Sequence, residues 1–298
     1  MKQEDTGKSL ASRLKHQFMY GLIFIGGRTL AYLFLYGIVF CYTCSSRVFN
    51  RSRAYITRRF SPATKWQLFK HTYLLNLTFA RTLVDRAALG ILGRTEVQTT
   101  PEEQELLTKL VAQNKGILLL TAHVGCWQMA VNLMNGFLST HVHVLYYRNP
   151  NDYDKTVSAH QHTKAPYSFI NPAGLAGGMV EMMGALEKKE IVCAMADRVF
   201  GAEKNTVKVN FLGGRICVPY SFYRLAGATG APVVFLFFPW QGKGIFSTWT
   251  CEPFYVPDEG ANKANYIRFA QQFASALEEF CIKYPYQFFN YYNLWEID

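Results

Sequence analysis

The stretch GILLLTAHVGCWQ (residues 116–128) decides the fold class of this chain of 298 residues. A glycine and a polar turn bound its apolar run, which has the length of a buried strand and is too short for a core helix. Similar short apolar runs recur along the chain. We therefore predict strands over residues 116–122, 141–147, 190–196 and 231–238. Residues 244–256 alternate more regularly between apolar and polar side chains, and this pattern predicts an edge strand.

Helical patterns separate these strands. Residues 62–93 carry apolar side chains at helical spacing, and Thr100-Pro101-Glu102-Glu103 has the N-cap, first-turn proline and returning glutamate of a capping box. Further helices are predicted over residues 126–138, 174–189, 218–229 and 261–283. Strands that alternate with helices of this length predict an α/β fold with a mainly parallel central sheet flanked by helices. Since neither a repeat nor a linker divides residues 61–298, we predict one α/β domain there.

The positive charge of the chain is concentrated before this domain. The formal net charge is +10, and residues 1–60 hold ten Lys or Arg against two Asp or Glu, so they account for +8 of it. A nucleic-acid enzyme more often carries its basic surface on the folded domain, so we expect no nucleic-acid partner. The seven cysteines are odd in number and scattered, which argues against a disulfide framework.

An apolar segment over residues 18–44, interrupted only by Arg28, predicts a membrane-associated helix. It is long enough to span a bilayer core, which takes about 20 residues, but an arginine in mid-span costs on the order of 3 kcal/mol. Two interpretations stay open. Either the segment is a tilted span in which Arg28 snorkels or pairs with protein, or it is a helix that enters one leaflet only.

Basic residues flank this segment on both sides, and the larger cluster follows it: Arg47, Arg51, Arg53, Arg58 and Arg59. The positive-inside rule then places the C-terminal body in the cytoplasm. The same cluster can bind anionic lipid head groups.

His123 stands where the first predicted strand gives way to a helix. Ligand sites of open parallel sheets gather at the carboxyl ends of strands, and a histidine there can act as a general base near neutral pH. Gly125 allows another group to approach the turn closely. Gln128 follows near the start of the predicted helix, within reach of the imidazole.

The segment His123-Val124-Gly125-Cys126-Trp127-Gln128 resembles the HxxxxD/E motif of glycerolipid and lipid A acyltransferases, and more closely that of the lipid A late acyltransferase family. The resemblance continues over roughly residues 60–295. Similar segments follow in the family's order, with an arginine segment, an aspartate segment, a Phe-Gly turn and a closing helix-to-strand segment: residues 147–151, 196–198, 209–214 and 225–234. The basic, apolar N-terminus is similar to that family's single membrane anchor.

This resemblance implies an acyltransferase of lipid A or lipopolysaccharide biosynthesis, on the cytoplasmic face of the bacterial inner membrane. A fatty acyl chain would move from a thioester donor, acyl carrier protein or acyl-CoA, to a hydroxyl of a glycolipid or other envelope lipid, without cofactor or metal. The aromatic segment 288–295 looks more like a subfamily that acylates other envelope lipids or pigment lipids, such as those of aryl-polyene pathways.

The resemblance also implies roles for individual residues. His123 would be the general base, with Gln128, Arg148 and Asp197 as further catalytic residues. Arg148 or main-chain N–H groups near Gly125 would stabilise the oxyanion, and basic residues such as Arg198 or Arg215 would receive the donor. The substrate-binding residues would be Gly125, Trp127, Asn149, Arg198, Phe211 and Gly213.

Gln128 departs from the family pattern, which has a carboxylate at this position. A carboxylate holds the imidazole in one tautomer and stabilises the imidazolium that forms during proton transfer, whereas glutamine brings no negative charge. Three explanations stay open. Another acid such as Asp197 supplies the charge, the acceptor is easier to deprotonate than a sugar hydroxyl, or the site is inactive.

Three other functions compete with this hypothesis. The pairs His141/His143 and His160/His162 have an HxH spacing that can bind a metal, which would suit a metallohydrolase. A catalytically silent membrane adaptor that binds lipid or carrier protein would explain Gln128. A thiol nucleophile at Cys126, beside His123, would form an acyl-enzyme.

Overall fold

The computed structural model describes residues 5–92, 96–127, 140–146, 167–199, 205–260 and 262–295. The α-helices of these residues are α1 (Asp5–Thr43), α2 (Ser46–Arg59), α3 (Lys65–Leu92), α4 (Pro101–Ala112), α5 (Met179–Glu187), α6 (Ser221–Thr229) and α7 (Ile267–Lys283). The strands are β1 (Glu96–Gln98), β2 (Ile117–Thr121), β3 (Val142–Leu145), β4 (Tyr167–Ile170), β5 (Ile191–Met195), β6 (Thr206–Phe211), β7 (Gly214–Pro219), β8 (Val233–Phe237), β9 (Trp240–Gly242), β10 (Ile245–Ser247) and β11 (Trp249–Thr250).

A six-stranded sheet with the order β11-β8-β2-β5-β3-β4 forms the centre of the protein. Strands β8, β2, β5, β3 and β4 run parallel to their neighbours, and β11 pairs antiparallel with β8. Outside this sheet, β6 and β7 form an antiparallel hairpin, and β1, β10 and β9 form a small sheet. The predicted mixed α/β class is confirmed.

Apolar side chains alternate between the two faces of the central sheet. In β2, Leu118 and Leu120 belong to a large cluster that includes α5, α6 and α7, whereas Ile117 and Leu119 belong to a second cluster under α4. Both faces are therefore covered, which explains why the central strands read as continuous apolar runs.

The register between β2 and β5 positions the site. Thr121 at the end of β2 pairs with Met195 at the end of β5. His123 and Asp197 each follow two residues later, so the two side chains leave the sheet at the same level of the same edge. Parallel neighbours bring chain-distant residues together in this way because their carboxyl ends coincide.

The structure confirms the four predicted central strands as β2, β3, β5 and β8, and it confirms the capping box of α4. The Oγ1 of Thr100 accepts the N–H of Glu103, and the Oε2 of Glu103 accepts the N–H of Thr100, each at 3.2 Å. The predicted helix over residues 126–138 lies outside the described residues except for its first two.

Two expectations need correction. In place of one edge strand, residues 244–256 contain two short strands in different sheets: β10 in the small sheet, and β11 at the edge of the central sheet. The helix predicted from residue 174 begins at Met179, since a 3₁₀ turn with left-handed residues precedes it. The sequence reasoning also missed helix α2, strand β4 and the hairpin of β6 and β7.

Helix α1 packs lengthwise on α3. Ile23, Ala31, Leu35 and Val39 of α1 form an apolar cluster with residues of α3. Within the described residues, one helical segment, Gln17–Thr43, is long and apolar enough to cross a membrane by length and composition alone, a test that core helices of soluble proteins also pass. The predicted boundary between residues 1–60 and 61–298 stays a prediction.

Asp85 joins α1, α3 and the turn between β9 and β10. Its carboxylate is fully buried and lies 3.2 Å from the Nε of Arg28. It also accepts the hydroxyl of Tyr32 at 2.6 Å, the indole N–H of Trp240 at 2.6 Å and the main-chain N–H of Gly244 at 2.8 Å. The lone charge of the apolar segment is therefore paired with protein.

We expect Asp85→Ala to lower the free energy of unfolding by about 3–5 kcal/mol, because it leaves a largely buried guanidinium and three hydrogen-bond donors without their acceptor. Chemical unfolding of the purified chain in detergent measures the change. Glu105→Ala is the matched control, since Glu105 pairs with Lys109 on the exposed surface of α4 and should cost far less. Equal losses in both variants would contradict this role of Asp85.

Candidate active site

His123 and Asp197 form a hydrogen-bonded pair at the carboxyl edge of the central sheet. The Nδ1 of His123 lies 2.9 Å from Oδ1 and 3.0 Å from Oδ2 of Asp197. An ionised carboxylate can only accept, so the proton of the neutral imidazole is assigned to Nδ1 and its Nε2 is left as an acceptor. The His123 side chain is 21% exposed and that of Asp197 is fully buried. This arrangement orients the imidazole so that its Nε2, the nitrogen that does not face Asp197, can accept a proton.

The carboxyl group of Asp197 is held in its ionised form. Burial alone would raise its pKa, but the imidazole and main-chain N–H of His123 and the nearby guanidinium of Arg198 together hold the pKa below its ordinary value. The Nε of Arg198 lies 3.7 Å from Oδ2. Asp197 thus places beside His123 the negative charge that Gln128 lacks.

The segment Gln287–Phe289, called the brace below, forms hydrogen bonds with the loop that contains His123 and with the loop that contains Asp197. The N–H of Phe289 donates to the carbonyl of His123 at 2.8 Å, and the N–H of Gly125 donates to the carbonyl of Gln287 at 2.9 Å. On the other side, the Nη2 of Arg198 donates to the carbonyl of Phe289 at 3.0 Å. The sequence reasoning missed this positioning role, since nothing local to residues 287–289 signals pairing with a loop so distant in the chain.

Gly125 sits where a side chain cannot. Its φ is +52°, in the left-handed region, and an added Cβ would lie 2.0 Å from the carbonyl oxygen of Phe238. The close approach that the sequence predicts is therefore made by the protein's own main chain. The N–H groups of Val124, Gly125 and Cys126 all donate to carbonyls of the protein, to Ala122, Gln287 and Phe238 respectively. They are occupied, which disfavours them as oxyanion donors.

A cavity of about 630 Å³ opens beside Arg198, the residue after Asp197. Arg224 and Asn205 add polar groups to its lining. Its apolar lining includes residues of α5 and α6: Met179, Val180, Met183, Phe222, Leu225 and Ala228. The sequence analysis did not predict this apolar lining or Arg224, because helix patterns do not reveal where two packed helices leave a cavity between them.

The other predicted site residues have different surroundings. Trp127 packs near Tyr146, with the ring centres 5.5 Å apart. Phe211 is fully buried and stacks on Trp295, so its side chain packs in the core. Gly213 has a φ of +71° in the turn between β6 and β7, and this turn explains the glycine. Gln128, Arg148 and Asn149 lie outside the described residues.

The residues behind the competing functions have structural partners. The Nε2 of His141 lies 3.1 Å from the hydroxyl of Ser168, and the Nε2 of His143 lies 2.7 Å from a carboxylate oxygen of Glu190. Among the residues that the structure describes, no group of three His, Cys, Asp or Glu could hold a metal ion. His160 and His162 lie outside them. Cys126 is buried, which is unlike the accessible setting of a reactive thiol.

Comparison with known proteins agrees with the motif order. A family model described as bacterial lipid A biosynthesis acyltransferase matches residues 76–296, which is well over half of the chain and contains both His123 and Asp197. A search of curated proteins found no match.

Proposed function

This chain belongs to the bacterial lipid A biosynthesis acyltransferase family, and we propose that it moves a fatty acyl chain from a thioester to a hydroxyl of a membrane lipid, with His123 as the general base. The family indicates an acyltransferase. The proposal that His123 is the general base rests on the contact between the Nδ1 of His123 and the carboxylate of Asp197. This contact orients the imidazole in a chain that has Gln128 in place of the acid of the family motif.

The reaction is proposed as one direct displacement. The Nε2 of His123 removes the proton of the acceptor hydroxyl while the hydroxyl oxygen attacks the thioester carbonyl carbon. The tetrahedral intermediate collapses, the carbon–sulfur bond breaks, and the imidazolium returns the proton to the departing thiolate. The products are an ester and a free thiol. Asp197 stabilises the imidazolium in between, as a buried carboxylate does in other acyl-transfer sites.

The oxyanion needs donors that are not already engaged. The N–H groups of residues 124–126 donate within the protein, so we assign this role to Arg148, on the family resemblance.

We propose that the cavity beside Arg198 holds the acyl chain. Its volume of about 630 Å³ lies within the range of about 300–1,000 Å³ typical of ligand pockets. Apolar walls gain about 0.8 kcal/mol for each methylene that they bury. The guanidinium groups of Arg198 and Arg224 give this cavity a positive edge, which suits the acidic surface of an acyl carrier protein or the phosphates of acyl-CoA.

We expect Val180→Trp to lower kcat/KM for long acyl donors by at least about tenfold while shorter donors retain most of their rate, because the indole fills part of the cavity. Initial rates with donors of graded chain length measure this selectivity. Ile282→Trp is the matched control, since Ile282 has nearly the same exposure, 55% against 54%, and does not line the cavity. The same loss for every chain length would contradict the assignment of the cavity to the acyl chain.

We place the catalytic body at the cytoplasmic face of the bacterial inner membrane, on the strength of the basic cluster after α1. The test of the function is mass spectrometry of total lipids from cells with and without the gene. An acylated lipid that disappears with the gene identifies acceptor and chain, and an unchanged lipid profile would overturn the proposal.

A second candidate is the silent adaptor. Gln128 is its support, and the ionised Asp197 beside His123 weakens that support. The metallohydrolase has less in its favour. His141 contacts Ser168 and His143 contacts Glu190, and neither belongs to a possible metal-binding group among the described residues.

A further inference from the structure

Helix α1 is apolar on its buried side and on its exposed side. The face formed by Ile23, Ala31, Leu35 and Val39 is buried against α3. Large apolar side chains are exposed elsewhere on α1: Phe18, Phe24, Ile25, Leu33, Phe34, Ile38, Phe40 and Tyr42. So many large apolar side chains exposed on one helix are unusual on a soluble monomer and indicate that another apolar phase covers them.

A break at Gly27 shortens the apolar segment. Its φ of 63° and ψ of −162° belong to a region that essentially only glycine adopts. Residues 17–26 then form a helix of about 15 Å, and residues 28–43 form one of about 24 Å, at about 1.5 Å per residue. Neither piece reaches the thickness of about 30 Å of a bilayer core.

The break is fixed to the catalytic body. Arg28, directly after Gly27, contacts the buried Asp85, and Asp85 also binds the main chain of Gly244 in the turn between β9 and β10. The middle of the apolar segment therefore lies against a polar turn of the folded domain. In a spanning helix, this residue would lie near the centre of the bilayer, where a turn with its main-chain polar groups would be costly to place.

Helix α2, which follows α1, carries exposed positive charges that could bind anionic lipid head groups. Arg47, Arg51 and Arg53 of α2 are exposed. By contrast, Arg58 stacks over the ring of Trp295, and Arg59 donates to the carbonyls of Cys281 and Ile282. Trp66, at the start of α3, is 72% exposed, and tryptophan is enriched at the level of lipid head groups.

We propose that α1 does not span the membrane and that its exposed apolar side chains lie in one leaflet of an anionic bilayer, with Arg47, Arg51 and Arg53 at the head groups. This inference rests on the membrane association in the proposed function and specifies its mode. Helix α1 thus holds the catalytic body flat against the lipid surface that contains its acceptor. Both ends of the chain are on the same side of the membrane.

Protease protection of two terminal tags tests this topology. The full chain carries one epitope tag at each end and is expressed in bacteria, and sealed vesicles are prepared in right-side-out and inverted orientations. We expect both tags to be cleaved in inverted vesicles and both to be protected in right-side-out vesicles. Tags cleaved in opposite orientations would overturn the proposal, as would recovery of the protein in the soluble fraction.

A second measurement tests the charged part of the surface. Purified protein is mixed with vesicles of phosphatidylcholine alone or with added phosphatidylglycerol. Replacing Arg47, Arg51 and Arg53 together by Gln should reduce the preference for the anionic vesicles by on the order of 100-fold, because each basic residue near the surface adds a separate attraction. Replacing the exposed Lys188, Lys189 and Lys263 by Gln makes the same charge change elsewhere and should preserve that preference. Equal effects of the two triple variants would overturn the assignment of α2 to the head groups.

Acyl transfer is assayed in the same tagged preparations. Tags on one side without acyl transfer would contradict the proposed function alone. Acyl transfer with tags on opposite sides would overturn the one-leaflet arrangement alone.

Discussion

His123→Ala is expected to reduce the rate of acyl transfer by about 10³-fold, within the range of about 10²–10⁴ that a positioned general base contributes. The variant loses the Nε2 that receives the acceptor proton, while binding of donor and acceptor stays largely intact. The loss should therefore appear in kcat more than in KM. Initial rates with an acyl thioester and extracted membrane lipid measure the loss.

The control for this variant is His71→Ala. His71 also has a structural contact, since its Nδ1 lies 2.9 Å from the hydroxyl of Tyr286 and its ring stacks on Phe60, but it is outside the proposed site. We expect His71→Ala to retain nearly full activity. If His123→Ala is folded, as judged by circular dichroism, and transfers acyl groups at the wild-type rate, His123 is not the base.

Asp197→Asn is expected to reduce kcat by about 10²–10⁴-fold. The upper figure is that of the serine-protease aspartate, where the amide leaves the geometry intact but favours the wrong imidazole tautomer. The charge that stabilises the imidazolium is lost as well. Asp197→Glu retains the charge but displaces it by one methylene, so it should recover part of the activity that Asp197→Asn loses. An Asp197→Asn enzyme with wild-type kcat would contradict the proposed role of this carboxylate.

We also expect the stability difference between the wild type and Asp197→Asn to depend on pH. The pKa of Asp197 is lower in the folded state than its ordinary value of about 3.9. Its charge therefore contributes stability above about pH 4, and this contribution disappears as the pH falls through the folded-state pKa. We expect the difference in unfolding free energy between wild type and Asp197→Asn to be largest at neutral pH and to shrink in acid. Urea unfolding at neutral and at acid pH measures it, and a difference that grows in acid would contradict this sign.

The central sheet and the position of His123 could be predicted because they depend on local patterns. Short apolar runs between helical segments determine the strands, and a residue that follows such a strand must appear at its carboxyl edge. The sequence also named Asp197 as a candidate for the missing charge. The pairing register of Thr121 with Met195 is what brings Asp197 level with His123, and no local pattern contains that register.

Other features were missed for different reasons. The hairpin of β6 and β7 has a clear signal, since buried and exposed residues alternate along Thr206–Phe211 before the Leu212-Gly213 turn. The break at Gly27 had only a Gly-Gly pair as its signal. The brace at residues 287–289 depends on contacts between distant parts of the chain, which single-sequence patterns do not reveal.

The brace has a consequence for the order of events during synthesis. Residues 287–289 hold the main chain of His123 and the guanidinium of Arg198, and the ribosome adds them long after it has made β2 and β5. The apolar N-terminal helix can leave the exit tunnel and reach lipid while the rest of the nascent chain is still being translated. If α1 enters one leaflet as proposed, the nascent chain can therefore reach the membrane before residues 287–289 are available to complete the His123 loop.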